Sequence, residues 1–156
     1  MVRDYESAVG NYLRRRLYPL READLDDLVA ETFTIVWRRF DAMPSDAELP
    51  WIIGVARNVL HNAQRSRHRR IAYEGAVRVH GDSPSTEDIV VADARVRHAL
   101  EALRADEREV LLLHAWDGLS VADVARVLGV STDAAAVRLS RARHHFRTHF
   151  DEWDES

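Results

Sequence analysis

Apolar residues recur at three- and four-residue intervals along most of the chain, and no convincing period-two pattern interrupts them. Residues 4–17 place Tyr5, Ala8, Val9, Tyr12 and Leu13 on one helical face. Pro19 ends that element, because proline disfavours the helical state in the residue before it. The strongest periodic run follows, with Leu25, Leu28, Val29, Thr32, Phe33, Val36, Trp37 and Phe40 in register and Asp24 as candidate cap. Residues 41–50, containing Pro44 and Pro50, predict a loop. A third helix begins near Trp51, turns Ile52, Val55, Ala56 and Val59 inward, and runs into RSRHRR. Periodicity is lost over 71–85, where HGDSPS reads as a linker. Ser85 or Thr86 restarts a helix with Ile89, Val96, Ala99, Leu100 and Leu103 inward. Asp106 and Glu109 have capping-box-like spacing ahead of Val110, Leu111, Leu113 and Trp116.

The stretch Gly118–Arg147 predicts two helices with a tight turn between them. Ser120 caps the first, Val121, Val124, Ala125 and Leu128 line it, and Gly129 stands where it stops. Ser131 caps the second, which places Ala135, Leu139, Ala142, Phe146 and Phe150 on one face. Ala134, Arg138, Arg141 and His145 form an adjacent stripe. This is the pattern of a helix-turn-helix, whose second helix enters the DNA major groove; an αα-hairpin with a solvated arginine face has the same periodicity.

Composition narrows the function classes. The chain has 156 residues, 46% hydrophobic and 31% charged, which fits one ordinary domain or two small ones. It has no apolar run near the roughly 20 residues of a membrane span and no signal-peptide segment, so a cytoplasmic protein without membrane insertion is expected. Cysteine is absent, and eight scattered histidines form no ligand spacing, so neither a disulfide nor a metal site is expected. The net charge of −4 argues against nucleic acid until its distribution is considered. Residues 49–73 contain no acid and hold Arg57, Arg65, Arg67, Arg69 and Arg70; residues 134–150 contain none and hold Arg138, Arg141, Arg143 and Arg147. Local basic segments govern DNA contact more than the total does. Asp26, Asp27 and Glu31 instead give the second helix an acidic surface near its N-terminus.

The segments DLDDLVAETFTIVWRRFD, LPWIIGVARNVLHNAQRSRHRR and ALRADEREVLLLHAWDGLSVADVARVLGVSTDAAAVRLSRARHHFR resemble, in this order, the bacterial extracytoplasmic-function sigma factors. The resemblance covers about residues 4–70 and 88–150, the second and fourth conserved regions of the sigma-70 family. It implies that the N-terminal part docks on core RNA polymerase through Asp26, Asp27, Leu28, Glu31, Thr32, Phe33 and Trp37. Most of the apolar stripe in that set is expected to be core, and the acids contact. It implies that Arg57, Asn58, His61, Asn62 and Arg65 of the third helix bind the minus-ten promoter element. Phe40, Asp41, Met43 and Leu49 would lie in or beside the loop that receives an unstacked base; for Phe40 and Trp51, hydrophobic packing is an equal alternative. Gly54 and Val55 stand where housekeeping sigma factors carry a tryptophan pair that holds melted DNA, which implies less ready melting here. For the minus-thirty-five element the matching positions are Ser131, Thr132, Ala134, Ala135, Arg138, Arg141 and Arg143, although Ala135 equally suits the core. The family commonly has lysine and serine where this chain has Ala136 and Val137.

The expected fold is all-α: two small helical domains, 1–70 and 88–156, joined by a flexible linker at 71–87, the C-terminal one a helix-turn-helix. The expected function is that of an alternative sigma factor, with core RNA polymerase, promoter DNA and an anti-sigma factor as partners. A free-standing helix-turn-helix regulator that does not bind polymerase is the alternative. No cofactor is expected. The chain shows no compact carboxylate–histidine cluster, phosphate loop or nucleophile motif, so it is not expected to be an enzyme.

Overall fold

The computed structural model describes residues 2–17, 19–73 and 94–153. Every regular element among them is helical. The chain divides into two compact units, residues 1–88 and 89–156. The first holds α1 (Val2–Arg14), α2 (Leu25–Arg38) and α3 (Glu48–Tyr73). The second holds α4 (Ala94–Glu101), α5 (Ala105–Ala115), α6 (Val121–Leu128) and α7 (Thr132–Glu152). The expected restart at Ser85 or Thr86, Ile89, and linker residues 74–87 lie outside the described residues. Residues 71–73, assigned to the linker by sequence, continue α3.

In the first unit three helices pack on one apolar centre. Val9, Tyr12 and Leu13 come from α1, Leu28 and Val36 from α2, and Ile52, Ile53, Ala56, Val59 and Leu60 from α3, all buried. Burial of such side chains contributes about 1.5–3 kcal/mol each. Several polar groups at the edges are satisfied locally. The Thr32 hydroxyl donates to the Leu28 carbonyl at 2.8 Å. Arg16 lies over the Tyr12 ring at 3.9 Å and donates to the Tyr12 carbonyl at 2.9 Å, closing the end of α1. Gln64 of α3 donates to the Arg16 carbonyl at 2.8 Å. The Tyr5 hydroxyl donates to Glu48, and this bond holds the phenol above its usual pKa.

Three local details differ from expectation. Asp24 does not cap α2 through its side chain; it accepts from the Arg21 amide at 2.8 Å and closes a 3-10 turn, Glu22–Asp24, that leads into the helix. Helix α3 starts at Glu48 rather than near Trp51, with Pro50 in its first turn, where a missing amide donor costs nothing. Helix α5 starts at Ala105, so Asp106 lies inside its first turn and is no cap.

In the second unit, Leu100, Val110, Leu113, Val124, Ala135 and Ala142 form the centre. Arg108 is buried there and donates to the carbonyls of Leu100, Leu103 and Glu101 at 2.8, 3.0 and 3.2 Å. It thus adds donors to the carbonyls at and just beyond the end of α4, where Leu100 also accepts from the Leu103 amide at 3.2 Å. Burial pulls its guanidinium below the ordinary arginine value, and Glu101 partly offsets that. Arg95 of α4 lies 3.7 Å over the Phe150 ring and donates to the Phe150 carbonyl at 2.8 Å, which ties α4 to the far end of α7.

Candidate nucleic-acid interface

The helix-turn-helix is built from two glycine turns and two serine caps. Gly118, with φ 73°, lets the chain leave α5, and the His114 ring meets the Leu119 carbonyl at 2.8 Å to fix the approach to α6. The Ser120 hydroxyl accepts from the Asp123 amide at 3.1 Å, as expected of a cap. Gly129 ends α6 in the left-handed region, φ 68°. Ser131 accepts from the Ala134 amide at 3.1 Å and starts α7.

Around α7 the buried line is Ala135, Leu139 and Ala142, with Phe146 and Phe150 half-buried and stacked 5.7 Å apart. Ala135 is fully buried and belongs to the core, so it is unavailable to DNA. Ser131, Thr132, Ala134, Arg141 and Arg143 are exposed, and Arg138 is half-buried on the flank. His145, read from the sequence as one stripe with Arg138 and Arg141, turns to α5 and meets the buried Glu107 carboxylate at 2.8 and 3.0 Å. On the other flank Ala136, Ser140, Arg143 and Arg147 border a shallow groove against Val121 of α6. The outermost ridge, about 180° from the buried line, carries Asp133, Val137, Ser140, Arg141 and His144, all exposed. Sequence reasoning singled out only Arg141 from that ridge for contact. A helical wheel centred on Ala135, Leu139 and Ala142 identifies the others.

In the first unit α2 has two distinct faces. Leu28 and Thr32, expected at the polymerase contact, are buried and serve the core. Asp26, Asp27 and Glu31 are exposed, and Phe33 is half-buried. Trp37 belongs to the same periodic run by spacing, yet it is 79% exposed. It lies about 120° round the helix from Leu25, at the edge of the apolar stripe. Its ring sits 6.1 Å from that of Phe40, itself 51% exposed on the following turn. Phe40 is therefore not packed away. Trp51 is half-buried, with the Arg39 guanidinium 5.9 Å over its ring.

In the segment that follows Phe40, Asp41 is exposed and Met43 and Leu49 are half-buried. On α3, Arg57, Asn58, His61, Asn62 and Arg65 share one face spanning about 140°. Asn58, Asn62 and Arg65 are exposed, and Arg57 and His61 half-buried. Arg65 donates to Asn62 at 2.6 Å, which orients both. Exposed Arg69 and Arg70 continue the positive surface along the helix. Of the two positions matched to the tryptophan pair, Val55 is buried, whereas a Cβ at Gly54 would meet no neighbour within 4 Å. Among the described residues no helix is long and apolar enough to cross a membrane.

Comparison with known proteins is consistent along the chain. Residues 1–71 match the model for Sigma-70 region 2, and residues 93–146 that for Sigma-70, region 4. The RNA polymerase sigma factor CnrH of Cupriavidus metallidurans is 33% identical over 141 residues, spanning 82% of this chain and 74% of that protein. The RNA polymerase sigma factor NccH of Alcaligenes xylosoxydans is 31% identical over 137 residues, with the same coverage of both chains. Among solved structures, the sigma factor RpoE in complex with the anti-sigma factor NepR from Bartonella quintana aligns with TM-score 0.69 at 21% identity, covering 96% of this chain and 93% of that one. The structure of CnrH in complex with the cytosolic domain of CnrY aligns with TM-score 0.65 at 24% identity, covering 97% and 85%. The chain belongs to the extracytoplasmic-function group of the sigma-70 family, the alternative sigma factors that direct transcription initiation by RNA polymerase.

Proposed function

We propose that the two units divide promoter recognition between them. The first docks on core polymerase through the outer face of α2: Asp26, Asp27, Glu31 and the exposed ring of Trp37. It also holds the opened minus-ten strand, with Phe40, Asp41, Met43 and Leu49 around an unstacked base and Arg57, Asn58, His61, Asn62 and Arg65 along the strand. The observation that carries this reading is the exposed Trp37–Phe40 pair at the end of the helix whose outer face carries Asp26, Asp27 and Glu31. Large aromatics left in water beside a complete core mark an interaction site. The second unit reads the minus-thirty-five duplex through Ser131, Thr132, Ala134, Arg138, Arg141 and Arg143. The protein does no chemistry of its own; the polymerase makes the bonds. It acts in the cytoplasm. An anti-sigma factor occludes it between stimuli, as the partner-bound structures of RpoE and CnrH suggest for this fold.

Run-off transcription with core polymerase on a randomised promoter library tests the whole reading. One selected pair of elements is expected, and active core that yields no template-specific product overturns it. Trp37→Ala tests the docking face. Because Trp37 stands in solvent, the variant should keep its thermal stability within about 0.5 kcal/mol. Loss of an aromatic anchor should weaken core binding by about 2 kcal/mol or more, roughly thirtyfold, in a competition assay. Unchanged affinity removes Trp37 from the interface.

A further inference from the structure

We propose that Val137 is a specificity-determining residue that reads the 5-methyl group of a thymine in the duplex bound by the second unit. The inference rests on the proposed role of that unit and adds a base to it.

Val137 is 51% exposed on the outermost ridge of α7, directly across the helix from the buried line of Ala135, Leu139 and Ala142. The core gains little from it. Ala134 and Ala136 beside it are exposed and short, so the backbone there can approach another surface closely and the two valine methyls stand highest. One turn further along, Ser140 and Arg141 lie on the same ridge, with His144 beyond them. Asp133 stands one turn before the valine at the start of the ridge, and no other acid occurs on α7 before Asp151; Arg138 and Arg141 flank the valine, and Arg143 and Arg147 follow on the groove flank. From Ala134 to Phe150 the helix surface is purely basic, which fits a polyanion better than a basic partner. A valine inside a polyanion-binding face has one apolar feature to meet. In the major groove only thymine presents a methyl group, and side-chain methyls discriminate by packing on it. Arginine on the same ridge supplies phosphate or guanine contacts, which carry no information about thymine.

The test uses holoenzyme assembled from the full chain and core polymerase, on the upstream element selected from a randomised library. Each thymine on either strand is replaced singly by deoxyuridine, which removes the methyl and leaves base pairing intact. With the native chain, one position should lose about fourfold in holoenzyme binding, the effect of burying one methyl-sized group. Val137→Ser should bind the thymine template about fourfold more weakly and show no further loss with deoxyuridine at that position. Serine and valine differ little in helix propensity, and a matching thermal melt checks that the variant folds. An equal deoxyuridine penalty in both proteins, or no sensitive thymine, overturns the proposal and leaves the function standing. Absence of any selected upstream element overturns both.

Discussion

The buried guanidinium of Arg108 meets three main-chain carbonyls, so it acts as the cap of α4 rather than as a surface charge. Periodicity cannot reveal this, because an arginine between buried positions reads as solvated. Arg108→Met keeps the apolar stem but removes the guanidinium donors from those carbonyls, of which Leu100 keeps the Leu103 amide. It should lower unfolding stability by about 1.5–3 kcal/mol in urea titration, the range for hydrogen bonds to a charged group. A cost under about 0.5 kcal/mol would show that water replaces the guanidinium. Tyr5 gives a pH signature in the first unit. Glu48 favours the neutral phenol and raises its pKa above the ordinary 10.0. The folded state then binds the proton more tightly than the unfolded chain. The stabilisation is complete below pH 10 and is lost as pH rises through the folded pKa. The chain has neither lysine nor cysteine, so few other side chains titrate there. Tyr5→Phe should flatten the alkaline fall in melting temperature; an identical fall in both proteins would refute the coupling.

At the scale of elements, the serine caps and the turn glycine of the helix-turn-helix are where local chemistry placed them, because Ser120, Gly129 and Ser131 act through their nearest neighbours. Ser131→Ala should cost about 1 kcal/mol in thermal or urea unfolding. It should also loosen the first turn of α7, which faces the duplex in the proposed reading, so minus-thirty-five binding should weaken with it. Destabilisation without any change in binding would separate cap from contact. Asp24 and Asp106 were less legible. Asp24 does stand at the N-cap position of α2, but its carboxylate is engaged by the Arg21 amide of the preceding 3-10 turn, whereas an earlier helix start moved the boundary past Asp106. The faces of α2 and α7 needed tertiary structure as well. Thr32 and Ala135 are small enough to serve either a contact or a core, and only packing decides. Trp37 shows the reverse error: it keeps the apolar spacing but sits at the stripe's edge, where no neighbour covers it.

Across the whole molecule, charge is sorted by segment rather than balanced. The net charge of −4 hides two acid-free stretches, one in each unit. Family membership was readable from several ordered segments because each keeps its apolar spacing together with its charge pattern. What the individual side chains touch was not, since exposure depends on the neighbouring helices. If both basic faces engage DNA, promoter binding by holoenzyme should fall steeply with salt, at about −0.9 in log–log slope per phosphate contact. Arg141→Ala should then reduce the slope by about one unit if Arg141 holds a phosphate. If it reads a base, the slope should hold while selectivity at one position falls by about 1–3 kcal/mol. Neither change would remove Arg141 from the duplex interface.

The solvent-facing indole at the end of α2 also equips the protein with its own optical reporter. Trp51 and Trp116 are half-buried, and Trp153 is 42% exposed, against 79% for Trp37. The long-wavelength, readily quenched part of the emission therefore belongs chiefly to Trp37. Covering that ring shifts its emission to the blue and shields it from acrylamide. Occupancy of this face, by polymerase or by an inhibitor, is thus readable in unlabelled protein as the difference between the native chain and Trp37→Phe.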